Sequence, residues 1–326
     1  VLAGVSRATV SRVVNGSPRV SPAVRETVEH AVAELGYVPN LAARSLVTQR
    51  TDAVACVVSE PESRIFSDPF FGSVIRGVSR GLASEGLQML LLMVQSAEDY
   101  PRVARFMAGG HVDGALMFSL HEGDPLPRIA RDLGLPAVFG GRPWTTGPDV
   151  SYVDADNRGG GRSATQHLID RGCHRIATIT GPLDHLASLD RLAGFEDAFA
   201  DAAAPVSPQL VVCGDFTQEG GQRAMEQLLL LEPPVDGVFC SSDPMAAGAL
   251  RALRSAGRKV PDDVAVVGFD DHEQIAAWTD PPLTTVHQDP DFMGEMLVKL
   301  LVTRLRGEPV PEPLVLPTRL VVRESA

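Results

Sequence analysis

Long apolar runs are missing from this 326-residue chain: none reaches the roughly 18 residues of a membrane span, and a membrane-spanning protein is not expected. Cysteine is scarce. Its four copies, Cys56, Cys173, Cys213 and Cys240, lie far apart, which argues against a disulfide framework or a zinc knuckle. Cys56, Cys213 and Cys240 sit inside apolar, strand-like runs and read as reduced core thiols. None of the eight histidines supplies a partner at metal-ligand spacing, so no metal and no cofactor is expected. The opening residues VLAGVSR carry no basic segment followed by an apolar one, so no secretory signal is expected and a cytoplasmic location is. Neither a G-x-S-x-G elbow nor a P-loop is present, and the glycines of RGGGR (158 to 162) do not follow a strand at dinucleotide-loop spacing. No catalytic residue is assigned, and the chain is expected not to be an enzyme.

What is there is a soluble composition, 44% hydrophobic and 21% charged, long enough for two or three domains. The net charge of -12 is unevenly spread. Residues 1 to 50 hold six arginines against three acids, a balance of +3, and the remainder carries -15. A basic head on an acidic body implies that the head alone meets a polyanion.

From residue 53 onward, short apolar runs alternate with helix-length amphipathic segments. AVACVV (53 to 58), QMLLLMV (88 to 94), GALMFS (114 to 119) and PAVFGG (136 to 141) form one series. RIATITG (175 to 181), LVVCGD (210 to 215), GVFCSS (237 to 242) and VAVVGFDD (264 to 271) form a second. Continuous apolar strands joined by crossover helices predict α/β architecture with parallel sheets covered on both faces. Two such series predict two doubly wound subdomains with a cleft at the carboxyl ends of their strands.

The head reads as small and all-helical. Arg7, Ala8, Ser11, Arg12 and Asn15 share one side of a helical wheel; Val10, Val13 and Val14 share the other. Ser6 is an N-cap, Gly16 a stop, and Ser21 with Pro22 starts another helix in which Val24, Val28, Ala31 and Leu35 repeat at helical spacing. This is a helix-turn-helix, whose polar helix is shaped for a DNA major groove.

These residues carry a resemblance. AGVSRATVSRVVNG followed by RVS, ELGYVPN and ARSL is similar to the DNA-binding headpiece of the LacI/GalR family of bacterial transcription regulators. RLAGF (191 to 195), SSDPMAAGAL (241 to 250), VGFDD (267 to 271), PPLTTV (281 to 286) and LPTRLVVRES (316 to 325) resemble that family's effector domain, which is like a periplasmic binding protein. The expected division is a headpiece at 1 to 38 with a truncated first helix, a hinge and linker at 39 to 52, and an effector and dimerisation domain at 53 to 326. Within the last, 53 to 152 with 282 to 308 would form one subdomain, and 153 to 281 with 309 to 326 the other. Restoring the start of the first helix is expected to raise operator affinity.

The resemblance implies roles. Arg7, Ala8 and Arg12 would read bases, with arginine suited to guanine O6 and N7. Ser6, Thr9, Ser11, Asn15 and Arg19 would hold phosphates, and Asn40, Ala43 and Leu46 would enter the minor groove from a hinge helix. Phe70, Phe71, Arg191, Phe216, Ser242, Asp243 and Asp270 would line the effector cleft, all near predicted strand ends. Asp243 also reads as a helix N-cap, and Phe70 as core. Where many relatives have Asn-Asp, this chain has Ser242-Asp243, which leaves the ligand open. An aromatic face with planar charged groups suits a sugar. The expected partners are therefore a palindromic double-stranded operator, a small sugar, and a second copy of the chain in a homodimer. The expected function is ligand-controlled repression of sugar-metabolism genes. The alternatives are a sugar-binding protein without a DNA role, and a regulator responding to a purine or nucleoside.

Overall fold

In the head, Ser6 has the short hydroxyl side chain that satisfies a helix's first amides, and its Oγ accepts from the Thr9 amide at 3.1 Å. Helix α1 (Arg7–Val14) follows from it, and α2 (Pro22–Glu34) begins on a proline whose missing N–H is no loss in a first turn. The computed structural model describes residues 2–14, 19–36, 50–144, 147, 150–201, 207–309 and 311–326. Val13 of α1 and Val28 and Ala31 of α2 are buried, as the valine stripe predicts. Leu35 is not: it is 66% exposed, because α2 ends at Glu34 and Leu35 is only its C-cap.

The body holds two six-stranded sheets. The first has the order β11 (Leu314–Leu316), β5 (Tyr152–Ala155), β4 (Ala137–Gly140), β3 (Gly114–Phe118), β1 (Ala53–Val58), β2 (Gln88–Met93), and every pairing is parallel. The second has the order β12 (Arg319–Val321), β10 (Thr284–His287), β9 (Ala265–Asp270), β8 (Gly237–Cys240), β6 (Ile176–Thr180), β7 (Val211–Cys213). It is parallel except for the β10–β12 pair. Helices cover both faces of each sheet, which is why the central strands read as unbroken apolar runs. In chain order these are α3 (Glu62–Ser67), α4 (Pro69–Ser84), α5 (Tyr100–Ala108), α6 (Leu126–Asp132), α7 (Asn157–Asp170), α8 (Leu186–Asp201), α9 (Gln218–Leu228), α10 (Asp243–Ser255), α11 (Glu273–Ala276) and α12 (Pro290–Leu305).

The chain changes sheet after β5, after β10 and between β11 and β12, which corrects the expected crossing points at 153, 282 and 309. Tyr152–Ala155 and Leu314–Leu316 belong to the first sheet, and Thr284–His287 to the second. Which sheet a short strand joins depends on which edge offers unpaired backbone groups, and hydrophobic pattern carries no record of that. Cys56 and Cys240 are buried free thiols as expected, whereas Cys213 is exposed on the edge strand β7. Among the described residues no helix is long and apolar enough to cross a membrane.

Candidate functional site

The carboxyl ends of the two sets of strands meet at a cavity of about 870 Å³, counted out to its open mouth. The first subdomain lines it with Arg64, Asp68, Phe70, Phe71, Ser119, Arg142 and Asp154, the second with Asn157, His185, Arg191, Phe216, Ser242, Asp270 and Gln288. A crevice at the strands' carboxyl ends is where doubly wound sheets place ligands.

Arg191 is delivered by close helix packing. A Cβ on Gly161 of α7 would overlap the Arg191 backbone, and one on Gly194 of α8 would overlap that of Arg158. Gly161 of RGGGR and Gly194 of RLAGF thus let α7 and α8 touch, and set Arg191 at the cavity wall. Its guanidinium lies 3.6 Å from the centre of the Phe269 ring. Its Nε donates to Asn157 Oδ1 at 2.8 Å, one terminal nitrogen donates to the Ser241 carbonyl at 2.5 Å, and Asp270 Oδ1 is 3.8 Å away. Burial pulls the Arg191 pKa down, and the charges of Asp270, Asp154, Asp68 and Asp243 oppose that pull.

Asp270 ends β9 in the left-handed region, φ +117°, a strained setting for a non-glycine residue. Gln288 donates to its Oδ1 at 2.6 Å and fixes the carboxylate. Burial raises the Asp270 pKa, with Arg191 as the main counterweight.

The aromatic walls come from both subdomains. Phe70 and Phe71 occupy the first turn of α4, whose N-cap Asp68 accepts from the Phe70 amide at 3.0 Å; their rings meet edge-on at 5.6 Å. Phe71 is buried and Phe70 partly so. Phe216 faces them from the other side at φ +63°. Arg64 lies over Phe216 at 4.6 Å and Phe71 at 5.6 Å. Burial, reinforced by the charge of Asp270, raises the Asp68 pKa to about 6.

Six of the seven effector candidates line this cavity; Asp243 does not. It is fully buried behind the wall, where Thr285 Oγ1 donates to one oxygen at 2.5 Å and the His272 amide to the other at 2.8 Å. Both oxygens are committed to tying β10 and the 271–272 turn to α10. Burial, then the neighbouring Asp270, raises its pKa well above the ordinary value. The cap of α10 is Ser242, whose Oγ accepts from the Met245 amide at 3.4 Å.

Arg64, Asp68, Ser119, Arg142, Asp154, Asn157, His185 and Gln288 also line the cavity and were not singled out from sequence. The usable signal was position: Asn157 follows β5 and Gln288 follows β10, so the strand-end rule reaches them once those strands are recognised.

In the head, Arg7, Ala8, Ser11 and Arg12 are exposed on the side of α1 away from buried Val13, and Ser6 and Arg19 are exposed nearby. Thr9 is partly buried, its hydroxyl 2.9 Å from that of Ser6. Asn15, Asn40, Ala43 and Leu46 lie outside the described residues.

Comparison with known proteins gives concordant matches at both ends. Residues 1–40 match the model of bacterial regulatory proteins of the lacI family, and residues 165–326 match that of a periplasmic binding protein-like domain. The HTH-type transcriptional regulator CelR of Thermobifida fusca is 51% identical over 326 residues, covering 99% of this chain and 96% of that protein. A solved complex of transcriptional regulator CelR with cellobiose superposes with a TM-score of 0.82 at 49% identity, covering 100% of this chain and 97% of that one. The lac repressor dimer bound to operator and an anti-inducer gives 0.84 at 27% identity, covering 99% and 96%.

Proposed function

The chain belongs to the LacI family of bacterial regulatory proteins, a DNA-binding transcription regulator with an effector domain, and on that premise we propose that its effector is cellobiose or a close β-linked disaccharide. The observation that carries the proposal is the cavity itself. Phe71 and Phe216 bring aromatic faces from opposite subdomains to one space, and Arg191 and Asp270 bring a fixed donor and a fixed acceptor. A pyranose ring has an apolar face for the first pair and adjacent hydroxyls for the second. Because the lining comes from both subdomains, bound sugar favours their closed arrangement and shifts the population toward it.

On this reading the protein represses transcription in the cytoplasm and has no catalytic step. Two copies form a dimer that matches a palindromic operator. Arg7, Ala8 and Arg12 read bases, Ser6, Thr9, Ser11, Asn15 and Arg19 position the backbone, and Asn40, Ala43 and Leu46 act in the minor groove. Sugar in the cavity changes the spacing of the paired linkers and releases the operator.

Calorimetric titration with cellobiose, ribose and hypoxanthine tests the assignment. Binding of cellobiose alone, lost in Asp270→Asn, supports it; binding of hypoxanthine without cellobiose would replace the sugar by a purine.

A further inference from the structure

At one edge of the effector cavity, and sharing His185 with its lining, the interdomain junction carries a second group of polar side chains. Glu60 follows β1, His121 follows β3, and His185 precedes α8, so the first two belong to one subdomain and the third to the other. One ligand atom from each lies within 4.8 Å of the others. We propose that Glu60, His121 and His185 bind a divalent transition-metal ion of the zinc class across the two subdomains.

The geometry fits a tetrahedral ion. Zinc–nitrogen and zinc–oxygen bonds of about 2.1 Å put neighbouring donors about 3.4 Å apart. His185 Nε2 is 3.4 Å from Glu60 Oε1, and His121 Nε2 is 3.7 Å from the same oxygen. His185 is 6% exposed, and its Nε2, 3.4 Å from Glu60 Oε1 but not aligned on it, has no well-aligned hydrogen bond among the described residues, a costly state for a buried ring nitrogen unless something else engages it. His121 is tuned for ligation from behind. Its Nδ1 lies 2.7 Å from Asp184 Oδ2, and with the N–H placed there the Nε2 lone pair is left for the ion. A carboxylate holding the distal nitrogen of a ligating histidine is the usual support of such sites.

Arg64 and Ser119 also donate to Glu60 Oε1. Each carboxylate oxygen has about two lone-pair directions, and these two donors fill those of Oε1, so the ion takes this oxygen by displacing one of them. Arg64 also lines the effector cavity over Phe216, so an ion on Glu60 acts on a residue facing the sugar. Ion and effector are therefore coupled, each changing the other's affinity by the same factor. His121 is one-third exposed at the side chain, which gives the ion a way in and leaves a fourth position for water.

The test is a Co²⁺ titration of the full chelator-treated protein, followed by visible absorption. The expected result is one Co²⁺ per chain with the intense bands of a four-coordinate site, displaced by Zn²⁺. His121→Ala and Glu60→Gln lose those bands. Asp184→Asn, a change at a half-exposed side chain, weakens binding by about 10- to 100-fold with the fold intact by circular dichroism. His174→Ala, at the amino end of β6, leaves it unchanged. Only the weak bands of aqueous Co²⁺, or binding that Asp184→Asn and His121→Ala both leave unaltered, would overturn the proposal.

Discussion

Arg142, in the loop after β4, and Asp190, in α8, join the two subdomains: one terminal guanidinium nitrogen lies 2.7 and 2.6 Å from the two carboxylate oxygens. Both side chains are only partly buried, so the pair contributes about 1 kcal/mol or less. Its effect is on closure rather than on folding. Asp190→Ala is expected to weaken cellobiose binding by up to about five-fold, through a smaller closed population, with the unfolding midpoint nearly unchanged. Calorimetric titration of the variant checks this; an unaltered affinity would remove the pair from the closing mechanism.

Asp68 makes stability depend on pH. Its folded pKa of about 6 lies above the ordinary 3.8. Below about pH 3 the carboxyl is protonated in both states. As pH rises toward 6 the unfolded chain ionises first and folding stability falls. Above pH 6 the penalty is complete, on the order of 3 kcal/mol. Asp68→Asn keeps an acceptor for the Phe70 amide and removes the charge. Relative to wild type it is expected to be clearly more stable at pH 7.5 and only slightly so at pH 4, measured by denaturant unfolding at the two values.

A methyl group placed away from the ligand should also close the site. A Cβ on Gly181, at the end of β6, would overlap the Phe216 ring. Phe216 is already held at positive φ and has Arg64 on its face, so the ring is forced toward the cavity. Gly181→Ala is expected to reduce sugar affinity at least ten-fold while operator binding without sugar persists. Full affinity in both assays would mean that the wall yields freely.

The head predicts two kinds of DNA defect. On the proposed roles, Arg7→Ala removes a base-reading fork and should cost about 1 to 3 kcal/mol, with relaxed preference at one base pair. Arg19→Ala removes the proposed phosphate contact, and should weaken all sequences alike and reduce the salt slope by about one. Binding isotherms on matched and single-substituted operators at several salt concentrations separate them. Equal loss across sequences in Arg7→Ala would contradict the base-reading role.

Much of the fold was legible because it is written locally. AVACVV, RIATIT and VAVVGFD are buried on both faces, and only a covered parallel strand needs such runs. TTVH was missed as a strand because its buried threonines satisfy their hydroxyls only in the assembled sheet, Thr284 on the Ala326 carbonyl and Thr285 on Asp243. The same bond removed Asp243 from the site: its acidity marked it, but its position at the start of α10 aims it at β10. Glu60, His121 and His185 carry no local signal at all. Topology alone brings the 121 and 185 loops together, where the Glu122 amide donates to the Asp184 carbonyl at 2.8 Å.

Sugar in the interdomain cavity is proposed to control the hold of the head on DNA. The direct measurement is fluorescence anisotropy of a palindromic operator selected in vitro, titrated with the full-length protein with and without saturating cellobiose. The expected result is at least a ten-fold loss of operator affinity with sugar in the wild type and no loss in Arg191→Lys, which keeps the charge but not the planar fork. Identical isotherms with and without cellobiose in the wild type would contradict the account.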